Sequence, residues 1–279
     1  MMIQRLFNPE VSLEHRAYQI ANAFITRLLC KPLSLVHVVE YPKSGGSWIR
    51  NMIRSYQGSR LFTGEGLIHR GDTVLVHRLY ASHYCRPIIV VRDPRDIYVS
   101  FYYYETQYEN RGKSLEIDKY YKRDPDKSLR EDFAAYLEKK LLYPTHPWFF
   151  FSKFLDSWLN RPYICVVRYE DCLSDAEAQL VRILRFIDQP VDLELVRSTV
   201  EAANFKNITR EKYGVSRKPA EANNLKFHRK GVAGDWRSHF NKSSCELIDK
   251  LEGTSLRRLG YESDRHWIDR FVEEENGVI

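Results

Sequence analysis

Residues 36–48 read VHVVEYPKSGGSW, a short β-branched run that breaks at Pro42 and opens into Lys43-Ser44-Gly45-Gly46-Ser47 ahead of a helix-like segment. Val38 and Val39 predict a buried strand, and Pro42 ends it. Gly45 and Gly46 let the backbone turn tightly, so that several N–H groups point at one spot. A helix starting near Ser47 adds the positive end of its dipole to that spot, whose natural occupants are phosphate or sulfate oxygens. The residue order is not that of the nucleoside-triphosphate loop G-x-x-x-x-G-K-[ST], in which the lysine follows the glycines and the next hydroxyl holds magnesium. Here the lysine comes first.

Outward from this loop, strand-like runs follow at Thr73–Val76, 88–91 and 164–167, with helical patterns between most of them. Such alternation predicts an α/β fold: a central parallel sheet covered by helices on both faces, with ligands at the carboxyl ends of the strands. The candidate motifs lie at those ends. A chain of 279 residues is expected to form a single domain over 1–279. Segment 12–29 has helix-like apolar spacing through Ala17, Ile20, Phe24 and Leu28, and is expected to cover one sheet face. Segments 57–72, 110–131 and 211–224, rich in glycine, charge or proline, read as lids or acceptor walls. The run Trp148-Phe149-Phe150-Phe151 reads as a buried helix face.

The formal net charge of +6 and pI near 8.9 suit an anionic ligand. Basic residues are spread along the chain without a long tract, so a nucleic-acid partner is not expected. Cys30, Cys85, Cys165, Cys172 and Cys245 form no C-x-x-C pair and no zinc spacing. Their odd number argues against a complete disulfide framework and for a reducing compartment. No run of about 20 apolar residues occurs. The opening MMIQRLFNPE lacks the charged-then-apolar order of a signal peptide, and the expectation is a cytoplasmic protein without membrane association.

Four segments in order carry a resemblance: YPKSGGSW at 41–48, RDPRDIYVS at 92–100, Tyr169-Glu170-Asp171, and Arg229-Lys230-Gly231 followed by Gly234-Asp235-Trp236. Together they resemble the sulfotransferase family that uses 3′-phosphoadenosine 5′-phosphosulfate (PAPS), in particular its cytosolic, small-molecule type. The resemblance implies a nucleotide-kinase-like, P-loop-type fold, PAPS as sulfuryl donor, adenosine 3′,5′-bisphosphate (PAP) as product, and no required metal. On that basis Lys43 meets the charge growing on the oxygen that bridges phosphorus and sulfur. Ser44, Gly45, Gly46 and Ser47 donate to the 5′-phosphosulfate, and Trp48 stacks on adenine. Arg92 and Ser100, eight residues apart on a strand–turn–helix path, hold the 3′-phosphate, joined by Arg229, Lys230 and Gly231. Tyr169 lies near the nucleotide, Phe205 is a second adenine platform, and Tyr104 lines the acceptor pocket.

His77, directly after the strand Thr73–Val76, matches the family's general base, an imidazole able to take a proton near neutral pH. Two departures stand out. Gly46 replaces the usual Thr, Ser or Asn, from which a looser loop is expected. Leu75-Val76 replaces a Lys-Thr or Lys-Ser before the histidine, which removes a second lysine and leaves His69 and His83 as competing bases. The acceptor is expected to be a small soluble molecule with a hydroxyl or an amine. A small-molecule kinase needs the glycine–lysine order and carboxylates for magnesium. The run IIVVRD imitates such a strand, but Arg92 intrudes before Asp93, and Asp93 and Asp96 read as helix N-terminal acids. A non-catalytic nucleotide-binding module has no use for both Lys43 and His77.

Overall fold

The strands Val36–Glu40 (β1), Thr73–Val76 (β2), Pro87–Val91 (β3) and Cys165–Arg168 (β4) pair in parallel in the order β2-β1-β3-β4. This arrangement is seen in a computed structural model that describes residues 28, 30–58, 71–108, 123–142, 147, 149–203 and 231–275. Every residue of β1 and of β3 is buried. Both strands are near-continuous apolar runs because helices cover both faces of a parallel sheet.

Helices follow the strands in the predicted alternation. β1 leads through the loop into α1 (Gly46–Tyr56), and β3 leads into α2 (Pro94–Tyr108). Leu129–Leu142 (α3) and Phe151–Trp158 (α4) come before β4, which runs straight into α5 (Tyr169–Ser174). Ala176–Phe186 (α6), Leu193–Ala202 (α7), a 3₁₀ turn at Asp235–Ser238, Lys242–Arg258 (α8) and Trp267–Glu275 (α9) complete the described elements. Asp175, Asp192 and Asn241 cap α6, α7 and α8 by accepting from backbone N–H groups of the first turn, each worth about 1 kcal/mol.

Side-chain alternation splits the core in two. Val36, Val38, Ile88, Val90 and Val167 pack with Ile49, Met52, Leu180, Ile183 and Val196 of α1, α6 and α7. Val39, Ile89 and Val91 face the other way, against α2, α3, α4, α8 and α9. Glu40 continues the parity of Val36 and Val38, and so turns toward the α1 face.

Two expectations need correction, and the cysteine expectation, which holds in that no complete disulfide framework forms, gains one bridge. The aromatic run 148–151 is not a helix face, because only Phe151 belongs to α4, with Phe150 in extended backbone at its N-cap. Phe149 and Phe151 instead pack edge-on to Tyr41, with ring centroids 6.0 and 5.4 Å away, and Trp148 lies outside the described residues. Cys30 and Cys85 form a disulfide, their Cα atoms 6.2 Å apart, while Cys165, Cys172 and Cys245 are free and buried. Pairing of His37 with Pro87 brings together the chain leading into β1 and β3, which a cysteine count cannot show. The stretch 110–131 ends in the first residues of α3 rather than in loop. Of segment 12–29 only residue 28 is described, and 59–70, 109–122 and 204–230 lie outside the described residues. Among the described residues no helix is long and apolar enough to cross a membrane.

Candidate functional site

Parallel register assembles the site. Val39 pairs with Val76, which sets Glu40 beside His77. Val91 pairs with Arg168, which sets Arg92 beside Tyr169. All four residues stand at the carboxyl ends of the strands, where the loop 41–47 also emerges.

The loop is closed from within. The backbone N–H and the hydroxyl of Ser44 both donate to the Tyr41 carbonyl, at 3.1 and 2.7 Å. Ser44 is fully buried, so its hydroxyl proton serves the turn. Lys43 and Gly45 take positive φ, 77° and 99°. Glycine is required at 45 twice over, because a Cβ there would also meet Tyr169 Cδ2 at 2.5 Å. At Gly46 a Cβ would lie 2.8 Å from Glu40 Cδ and 2.9 Å from Leu75 Cδ1, and the Gly46 N–H donates to Glu40 Oε2 at 2.6 Å. The loop is therefore tied to β1 at the position where slack was expected, and the room that a side chain would occupy holds the Glu40 carboxylate.

The Lys43 ammonium lies 4.2 Å from the centroid of the Tyr104 ring. Burial lowers its pKa to about 8, with the Glu40 carboxylate pulling upward and the Arg92 guanidinium pushing further down. Arg92 ties the surrounding parts together. It donates to the carbonyls of Lys43 (3.4 Å) and Val232 (3.1 Å), sits 4.4 Å from the Tyr169 ring centroid, and lies 3.8 Å from Asp96. Asp96 accepts from the N–H groups of Gly234 (2.8 Å) and Trp236 (2.9 Å), which anchors the segment entered at Gly231 onto the first turn of α2. Burial pushes the Asp96 carboxyl up to about 6, against the opposing pull of Arg92 and the two amides.

Trp48 and Tyr169 form an edge-to-face pair with centroids 5.9 Å apart. The Trp48 indole N–H donates to the Ala203 carbonyl at 3.0 Å, so the pair borders the end of α7. Ser47 lies half-buried in the first turn of α1, and Ser100 half-buried along α2. Phe205, Arg229, Lys230 and His69 lie outside the described residues, whereas Gly231 is described with a φ of 65°.

Two of the histidines considered as bases can be placed. His77 Nδ1 lies 3.8 Å from Glu40 Oε1, with a third of the His77 side chain exposed. The His83 ring packs tilted against Tyr84, their centroids 4.3 Å apart, and the Tyr84 ring meets His37 near the start of β1, at the amino end of the sheet. Of the four consecutive aromatics on α2, Phe101 and Tyr102 are core, Tyr103 bonds His239 at 2.8 Å, and Tyr104 meets Lys43.

Sequence reasoning passed over Glu40 and the long-range role of Asp96. A charged residue closing a buried, mostly β-branched strand, six residues ahead of a glycine that departs from the family pattern, was the available signal for Glu40. Asp96 had none, since its two amide partners lie 138 and 140 residues away.

A lysine-first loop at a helix start, an arginine at the next strand end and an aromatic pair beside them stand at the carboxyl ends of a parallel, helix-covered α/β sheet. Residues 69–260 match the model of the sulfotransferase domain, and the chain belongs to that family. It is similar to mouse sulfotransferase 2A6, 29% identical over 215 residues, an alignment that covers 75% of this chain and 66% of that protein. Mouse sulfotransferase SULT7A1, solved in complex with PAP, superposes with a TM-score of 0.57 at 19% identity, covering 85% of this chain and 88% of that one. Retinol dehydratase, solved with androsterone and PAP, gives 0.54 at 18% identity, with coverage of 80% and 81%. At those identities the likeness is one of fold.

Proposed function

We propose that this protein moves the sulfuryl group of PAPS to a hydroxyl or amine of a small soluble acceptor by direct in-line transfer, releasing PAP. The observation that carries the reading is the junction at Arg92, where one guanidinium touches the loop backbone, the Tyr169 ring and the segment that begins at Gly231. The parts a 3′-phosphorylated nucleotide would need thus share one residue. In this reading, loop amides and Lys43 take the phosphosulfate, Trp48 and Tyr169 the purine, and Arg92 with Ser100 and Gly231 the 3′-phosphate, to which the motif alone adds Arg229 and Lys230, outside the described residues.

Sulfuryl transfer asks for charge stabilisation on the departing oxygen and removal of the acceptor's proton. Lys43 serves the first requirement. Glu40 favours the ammonium while burial and Arg92 oppose it, and with a pKa brought down to about 8 the cation still predominates at neutral pH, in a partly buried setting that strengthens its field. His77 serves the second, and Tyr104, under Lys43, borders the acceptor. The proposed mechanism requires no metal and no covalent intermediate, and the proposed setting is the cytoplasm, away from membranes and nucleic acid.

Two measurements test the reading. PAP should raise the thermal midpoint and adenosine monophosphate much less. A ligand of the native state alone stabilises by about 2.7 kcal/mol at a hundredfold excess over its dissociation constant, and equal shifts would refute the 3′-phosphate site. Incubation with labelled PAPS and a panel of phenols, aliphatic alcohols and amines should yield a product heavier by one sulfuryl group.

A further inference from the structure

Glu40 is 4% exposed, yet its carboxylate lies in the middle of a site built for anions. One oxygen accepts from the Gly46 N–H at 2.6 Å, and the other faces His77 Nδ1 at 3.8 Å. Burying a carboxylate is unfavourable unless it is paired and hydrogen-bonded, and placing one beside a donor-phosphate loop adds repulsion toward the ligand. The titratable groups that face it are His77 after β2 and Lys43 in the loop. The loop makes room for this carboxylate at position 46, where any Cβ would collide with it.

We propose that Glu40 is a positioning residue for His77, and that Gly46 is glycine so that the carboxylate can reach its place. With Nδ1 turned toward Glu40, the Nδ1–H tautomer of the imidazole is stabilised and the Nε2 lone pair is directed to the acceptor proton. As the proton arrives at Nε2, the carboxylate offsets the imidazolium charge. A separation of 3.8 Å closes to a hydrogen bond with less than 1 Å of movement, as catalytic contacts commonly do once substrate is bound. The inference rests on His77 being the base in the reaction proposed above.

The test separates the two ideas. Nitrogen-15 spectra of the imidazoles, with His77 assigned by the signal missing in His77→Asn, should show the Nδ1–H tautomer in the unsubstituted protein. In Glu40→Gln the signal should move toward the Nε2–H form that an unconstrained imidazole prefers. The same variant should lose about 10–100-fold in kcat, as for other groups that orient a reacting side chain, with KM for PAPS within about threefold. An unchanged tautomer overturns the proposal, as does an undiminished kcat accompanied by tighter PAP binding, which would make Glu40 a plug of the anion site. If PAP does not bind at all, the proposed function fails while the tautomer still decides the role of Glu40. Gly46→Ala provides a second route should Glu40→Gln not fold. Its methyl should displace the carboxylate and reproduce the tautomer change, and should lower the thermal midpoint less in a Glu40→Ala background than alone. Equal losses in the two backgrounds overturn the steric half of the argument.

Discussion

His37, in β1, and His77, directly after the neighbouring strand β2, stand at opposite ends of one sheet, and the contrast between them shows how this fold assigns chemistry. His37 lies near the start of β1, fully buried. Its Nδ1–H donates to the Cys85 carbonyl at 3.0 Å, and Tyr84 packs edge-on 5.0 Å away. Burial lowers its pKa to about 4, only partly opposed by that carbonyl, so it is a neutral packing residue. His77 follows the last residue of β2, keeps a third of its side chain exposed, and faces a carboxylate. The amino end of the sheet is closed by the disulfide and aromatic rings. The carboxyl end gathers Glu40, Lys43, Arg92 and Tyr169, because every strand of a parallel sheet delivers its following loop there.

The largest effect that could break this contrast is the loss of His77. His77→Ala should lower turnover with an aliphatic alcohol by about 10²–10⁴-fold, the usual contribution of a positioned base, while PAP affinity stays near that of the unsubstituted protein. The loss should shrink for acidic phenols, which are already partly ionised. A comparable loss in His83→Ala, with His77→Ala active, would move the base to the other end of the sheet.

Next in size is Lys43→Ala, expected to cost about 10²–10³-fold in kcat, as does removal of a single donor to developing charge, with PAP binding weakened only modestly. Arg92→Ala should do the reverse, raising KM for PAPS more than it lowers kcat. Because burial brings Lys43 down to about 8 and the cation is the active form, kcat/KM should fall as pH rises through 8. A flat profile to pH 10 would mean that its charge is not used.

The smallest effect sharpens the other side of the comparison. His37 titrates near 4 in the fold against an ordinary value of 6.5, so the unfolded chain binds more protons over that interval. Its contribution is complete above pH 6.5 and is lost as pH falls toward 4, by roughly 2 kcal/mol between pH 7 and 5. Urea midpoints followed over that range should decline more steeply for the unsubstituted protein than for His37→Gln. Parallel curves would show that another group carries the acid sensitivity.

The local elements were legible because their signals are local. Four β-branched runs predicted the strands to within a residue, with 88–91 gaining Pro87 and 164–167 sliding by one. The lysine-first loop marked an anion site through the order of its residues alone. The aromatic run at 148–151 misled because the apolar pattern of a short segment does not say where a helix begins, and extended backbone at Phe150 decided it.

What the amino-acid sequence determined by itself was thus the strand–loop–helix alternation, the family and the residue types at the strand ends, all properties of contiguous stretches. Tertiary structure alone decided which of those residues meet. Parallel register put Glu40 beside His77 and Arg92 beside Tyr169, packing of α2 aimed the Asp96 carboxylate at Gly234 and Trp236, and the missing side chain of Gly46 was taken up by Glu40. Hydrogen bonds and steric contacts act over a few ångströms in space, and residues 37 or 140 places apart in the chain, such as Glu40 and His77 or Asp96 and Trp236, come within that distance only after the sheet has formed.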